Sequence, residues 1–192
     1  MTAEHHQKKL DQVLAFNRNE VAEPLSVSVP VHALIDKSYC LAVKEALATA
    51  GQEWQTFTAT PNVADLLPNS PGLYMFLWEP FFGIKLESGD YHFKWCLYVG
   101  KAEHTTIKNR YKNEYQAYVQ GDPAILYKEG GKSRKEMLQK YLCLQPLRIW
   151  CLEINEVQLI DPYERKLIDI LNPPLNTHGK LRGRLATPEK AF

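Results

Sequence analysis

Two short stretches, G-L-Y-M-F-L-W at Gly72–Trp78 and F-K-W-C-L-Y-V-G at Phe93–Gly100, alternate their side chains with a period of two. That period marks strands, because successive side chains of an extended chain point to opposite faces. The first run sets Leu73, Met75 and Leu77 on one face and Tyr74, Phe76 and Trp78 on the other. The second sets Phe93, Trp95, Leu97 and Val99 against Cys96 and Tyr98. Gly83 and S-G-D at Ser88–Asp90 supply turn chemistry between them. An antiparallel pair follows, and it brings Tyr74 and Tyr98 onto a shared face.

The other elements are arranged around this pair. Residues 4–17 read as an amphipathic helix, S-V-S-V-P-V-H as extended chain, and Asp36–Ala50 as a second helix stopped by Gly51. Proline and polar residues dominate Thr58–Pro71 and place a boundary there. In T-T-I-K-N-R-Y-K-N-E-Y-Q-A-Y-V, Ile107, Tyr111, Tyr115 and Tyr118 recur at helical spacing, with Thr105 or Thr106 able to cap the start. Arg110 and Glu114 flank that apolar face. Gly121–Gln145 reads as a loop and a basic helix, Pro146–Ile154 as a third strand, and Asp161–Leu171 as a last helix before N-P-P-L-N. The expected fold is α/β (α+β), a three-stranded antiparallel sheet flanked by helices over residues 67–178. A mainly helical region, residues 1–66, precedes it, and a basic tail, residues 179–192, follows.

A chain of 192 residues, 45% hydrophobic and 23% charged, has the composition of an ordinary soluble domain with one good core. No apolar run reaches the length of a membrane span, and the first ten residues lack the apolar core of a signal peptide. Cys40, Cys96, Cys143 and Cys151 form no C-x-x-C pair, which points to a reduced, cytoplasmic protein without a disulfide framework or zinc site. The net charge is only +1, but residues 1–100 carry 7 basic and 11 acidic groups, and residues 101–192 carry 16 and 11. Lys128, Lys132, Arg134, Lys135 and Lys140, and then Lys180, Arg182 and Arg184, form either solvated faces or a surface for phosphates.

The second strand ends in Y-V-G-K-A, where Gly-Lys suggests a phosphate loop. That loop needs a glycine five residues before Gly100 and a Ser or Thr after Lys101, and the chain has Trp95 and Ala102. G-G-K-S at Gly130–Ser133 fails in the same way, with Leu126 at the required glycine. Another account is needed for Tyr98-Val-Gly-Lys.

Taken in order, G-L-Y at Gly72–Tyr74, Y-V-G-K-A at Tyr98–Ala102, Arg110 on a helix, Glu164 on the last helix, and Asn176 twelve residues later resemble the GIY-YIG nuclease superfamily. In form they are most similar to the incision nuclease of nucleotide excision repair and to GIY-YIG restriction enzymes. The resemblance covers roughly residues 70–178. It implies an endonuclease hydrolysing DNA phosphodiester bonds, restriction-like or repair-like, with RNA as an alternative substrate. It further implies Tyr74 as general base, Tyr98 as its partner in positioning water and phosphate, Arg110 as the transition-state clamp, and Asn176 as the residue closing the domain. Glu164 would be the ligand of Mg²⁺ (or Mn²⁺), since one carboxylate suits an ion that keeps most of its waters. Lys101 is expected to be the cation that lowers the pKa of the tyrosines, and Gly100 to give close approach. Glu114 stands where many members carry histidine or tyrosine, with Tyr115 next, so either residue is a candidate for that place. The oligomeric state is open, a homodimer among the options.

Each assignment has a plainer rival. Tyr74 and Tyr98 are ordinary sheet aromatics in that view, and Arg110 pairs with Glu114 for about 0.3–0.5 kcal/mol. Asp161-Pro162-Tyr163-Glu164 reads locally as an N-cap, a first-turn proline and a capping-box carboxylate. A non-cleaving binding module on the same fold is the rival function.

Overall fold

The computed structural model describes residues 53–81, 83–86, 89–92, 94–122, 125 and 134–176, together with Asp11, Leu41, Lys44, Glu45, Leu47 and Ala48. Strands β1 (Gln55–Thr58), β2 (Gly72–Trp78), β5 (Trp95–Ala102) and β6 (Leu147–Glu153) form one antiparallel sheet in the order β1-β6-β2-β5. The expected sheet had three strands. The fourth, β1, is the short Q-T-F-T segment, which pairs with β6 from Gln55↔Cys151 to Thr58↔Arg148. Residues 55–66, expected at the end of the N-terminal region, therefore belong with this sheet: Gln55–Thr58 form a strand of it, and Val63 and Ala64 lie in its core. Between β2 and β5 the chain makes a separate hairpin, β3 (Gly83–Leu86) with β4 (Gly89–His92), in which Gly83, Gly89 and Asp90, expected in turns, are strand residues.

Strand β2 is central and buried on both faces, and its alternation holds as expected. Tyr74 and Phe76 enter one core cluster, while Leu73, Met75 and Leu77 enter the other. The first cluster is covered by helices α1 (Ile107–Glu114) and α2 (Arg134–Leu142), through Ile107, Tyr111, Leu138 and Leu142. The second is covered by α3 (Ile160–Leu171), through Ile160, Leu167 and Ile168. Burying one sheet between helix layers satisfies the apolar faces of all of them.

Strand β5 departs from simple alternation. Phe76 pairs with Tyr98 but Leu77 with Cys96, so Leu97 is the extra residue of a β-bulge. The bulge turns Leu97 onto the face of Tyr98 and leaves Cys96 beside the cluster of Val99, which reverses the expected sides of Leu97 and Cys96.

The helix boundaries also shift. Thr106 caps α1, its Oγ accepting from the Asn109 N–H at 3.2 Å. The helix ends at Glu114 rather than running through Val119. There Gln116 N–H reaches back to the Tyr111 carbonyl and Tyr118 N–H to the Tyr115 carbonyl, which breaks the i→i−4 ladder. Helix α3 continues a 3₁₀ turn (Val157–Leu159) and has Leu159 in the cap position without a side-chain cap bond. Asp161 is therefore inside the helix, and the capping box anchored on it does not form.

Leu41, Lys44, Glu45, Leu47 and Ala48 are helical, within the expected Asp36–Ala50 helix. The expected helix at 4–17 (Asp11 apart), the S-V-S-V-P-V-H segment and the 179–192 tail lie outside the described residues. No described helix is long and apolar enough to cross a membrane.

Candidate active site

Tyr74 stands in the middle of β2, directly across from Gly100 on β5. Its phenol lies over that glycine: a Cβ at position 100 would be 2.5 Å from Tyr74 Cζ and Oη and 2.7 Å from Tyr98 Cε1. The glycine is thus set by the tyrosines packed on it, inside a strand and not in a turn. Gly72 answers a similar constraint, since its Cβ would be 2.0 Å from the Leu152 carbonyl oxygen of β6. Gly100→Ala is expected to cost about 1–3 kcal/mol, the range for overpacking a filled site, and to push Tyr74 off its place. Thermal melting checks this, and an unchanged melting temperature would show that the phenol moves aside freely.

The hydroxyls of Tyr74 and Tyr115 are 2.7 Å apart and buried. Tyr74, Tyr98 and Tyr115 are 3%, 3% and 2% exposed, and their ring centroids lie 5.7–6.3 Å from one another. Tyr115 follows the last residue of α1, so the end of that helix places its hydroxyl against β2. This settles which of the two adjacent residues faces Tyr74. Tyr115 does, while Glu114 turns to Arg110, with Oε1 2.6 Å from Nη1.

Arg110 is the cation beside Tyr74, close enough for its charge to favour the phenolate. Burial raises the Tyr74 pKa above the usual phenol value, and the Tyr115 hydrogen bond and the nearby Arg110 charge offset only part of that rise. Burial likewise raises Tyr115. At neutral pH both are phenols at rest. The Arg110 Nε is buried without a hydrogen-bond partner.

Lys101 does not join the tyrosines. It pairs with Leu73, one residue on from Gly100, and so points to the opposite face. There its ammonium bonds the Asp161 carboxylate and lies 3.1 Å from Glu103 and 3.7 Å from Glu164. The Asp161 bond is the main cause that raises the Lys101 pKa and lowers that of Asp161. The expected role of Lys101 as the cation lowering a tyrosine pKa is therefore not met. Arg110 occupies that place.

Asn176 is 6% exposed, and both ends of its amide are used on one residue of β5. Its Oδ1 accepts from the Val99 N–H at 2.9 Å, and its Nδ2 donates to the Val99 carbonyl at 2.7 Å. Leu175 N–H adds a bond to the Leu97 carbonyl at 3.1 Å. The segment after α3 thus pairs with the edge of β5 and fixes the strand that carries Tyr98 and Gly100. Both hydrogen-bonding ends of the Asn176 amide are thus used on the β5 backbone.

The expected residues fall into two groups on opposite faces of the end of β5. Tyr74, Tyr98, Arg110 and Tyr115 lie on the α1 side, and Lys101, Asp161 and Glu164 on the α3 side. No three described His, Cys, Asp or Glu side chains are placed to hold a metal ion together. A divalent ion would take few protein ligands here. Glu164, with its side chain 16% exposed, offers the oxygen donor that a hard dication prefers, with water and phosphate completing the shell. The expected DNA contacts are less defined. Arg134 and Lys135 begin α2, but their side chains, and all of Lys128, Lys132, Lys180, Arg182 and Arg184, lie outside the described residues.

Comparison of the chain with protein-family models, with curated proteins and with solved structures gives no match.

Proposed function

We propose that this protein is a GIY-YIG-type endonuclease that hydrolyses phosphodiester bonds in DNA with the help of Mg²⁺ or Mn²⁺. The observation that carries the proposal is the Tyr74 phenol laid over Gly100, hydrogen-bonded to Tyr115 and held against Arg110. Phosphodiester hydrolysis needs an oriented water, stabilisation of the extra negative charge in the transition state, and a metal or acid for the leaving oxygen. Arg110 is the clamp on that charge. Tyr74 acts on the attacking water as general base, with Arg110 offsetting part of the burial that keeps its proton in place. Tyr98 and Tyr115 hold Tyr74, and Glu164 would be the protein ligand of a divalent ion, which would supply charge neutralisation at the phosphate. Lys101 holds Asp161 and Glu103 beside Glu164. The two groups of residues flank the end of β5 on opposite faces of the strand.

The direct test is incubation of the purified protein with supercoiled plasmid in Mg²⁺, in Mn²⁺ and in EDTA, with a parallel RNA substrate. Nicked and linear plasmid with metal and none in EDTA is the expected result. DNA retained without nicking in any metal would replace the nuclease by a binding module.

A further inference from the structure

Arg110 and Glu114 lie one turn apart on α1, and their side chains are 37% and 38% exposed. Both open to solvent beside the buried tyrosines, while the guanidinium's Nε, on the inner side near Tyr74, is buried without a partner. As a helix stabiliser the pair is poorly placed. Glu114 is the last residue of α1, where the negative end of the helix dipole disfavours an anion. A cation followed four residues later by an acid is also the weaker order for such a pair. The other basic residues of the helix are engaged elsewhere, with Lys108 and Lys112 at 3.4 and 3.2 Å from Asp65. Glu114 is thus directed at one cation, the one held against Tyr74.

We propose that Glu114 is an internal competitor for the anion that Arg110 receives: its carboxylate occupies the solvent-facing guanidinium in the free protein, and a phosphate displaces it on binding. The identity of that phosphate as part of a nucleic acid rests on the function proposed above. The competition itself does not. An exposed ion pair is weak enough for this exchange, and a phosphate takes the planar guanidinium in two parallel hydrogen bonds. Glu114 then sets a threshold, so that only a ligand with further contacts keeps Arg110.

The test uses wild type, Glu114→Gln, Arg110→Met and the double variant, all in EDTA. A labelled DNA duplex is followed by anisotropy and inorganic pyrophosphate by calorimetry. Glu114→Gln is expected to tighten binding roughly two- to fivefold, the scale of a surface ion pair, and the gain should vanish when Arg110 is methionine. Unchanged binding in Glu114→Gln would overturn the proposal, as would an equal gain in the Arg110→Met background, which marks a general charge effect. Absence of binding by all four proteins to both probes would overturn it too. An Arg110-dependent gain for pyrophosphate alone, with no DNA bound, would keep the competition and remove the nucleic-acid reading.

Discussion

Tyr74→Phe is expected to lower DNA cleavage by about 10²–10⁴-fold, the contribution of a positioned acid–base group. The substitution keeps the ring that packs on Gly100 and Phe76 and deletes only the hydroxyl. It also leaves the buried Tyr115 hydroxyl without its partner, at a cost of about 1–3 kcal/mol. Lost cleavage alone would therefore not separate chemistry from damage. Tyr115→Phe supplies the comparison, because it removes the same hydrogen bond from the other side, and with Arg110 still beside Tyr74 it should destabilise by no more than Tyr74→Phe. Cleavage should nevertheless survive in Tyr115→Phe, since Tyr74 and Arg110 are both retained. Removing both hydroxyls leaves neither stranded and should return stability close to wild type. The stable double variant should still not cleave. Recovery of cleavage along with stability would show that the tyrosine pair serves packing alone.

The β2 alternation was readable because a strand buried on both faces has no freedom to slip a residue without exposing one apolar set. The bulge at Leu97 was not. An extra residue changes the phase of the strand without any glycine or proline to mark it, so Cys96 and Leu97 exchanged faces unseen. β1 was hidden for another reason: four residues, two of them exposed, carry too little apolar pattern to announce a strand. The side chosen by Lys101 was available from period two alone, since Tyr98 and Gly100 share a face and residue 101 must take the other. What the sequence did not contain is the partner there, because Asp161 is sixty positions away and reads locally as a cap. Asn176 is similar. Its place after P-P-L was legible, but its two bonds to Val99 depend on β5 being an edge strand, which is decided by the whole sheet order.

The assignment of Glu164 is the second decisive point, and the helix start bears on how it is tested. With Leu159 in the cap position and Asp161 turned to Lys101 and Arg165, no capping box anchored on Asp161 is present for Glu164 to complete. Lys101 keeps Asp161 and Glu103 if the Glu164 charge is removed, and a 3.7 Å contact on a partly exposed pair contributes little. Glu164→Gln should therefore melt within a few degrees of wild type and still bind DNA. As a ligand for a hard dication, glutamine is a much weaker oxygen donor than an anionic carboxylate. Metal stabilisation of the transition state amounts to several kcal/mol, so metal-dependent cleavage should fall on the order of 10²-fold or more. Melting, DNA binding in EDTA and plasmid nicking across a Mg²⁺ series are to be measured on one preparation. Partial recovery at high Mg²⁺ or with Mn²⁺ would fit a weakened site, whereas full nicking at low Mg²⁺ would remove Glu164 from the metal site. In that case the Glu164 carboxylate returns to a structural role beside Lys101.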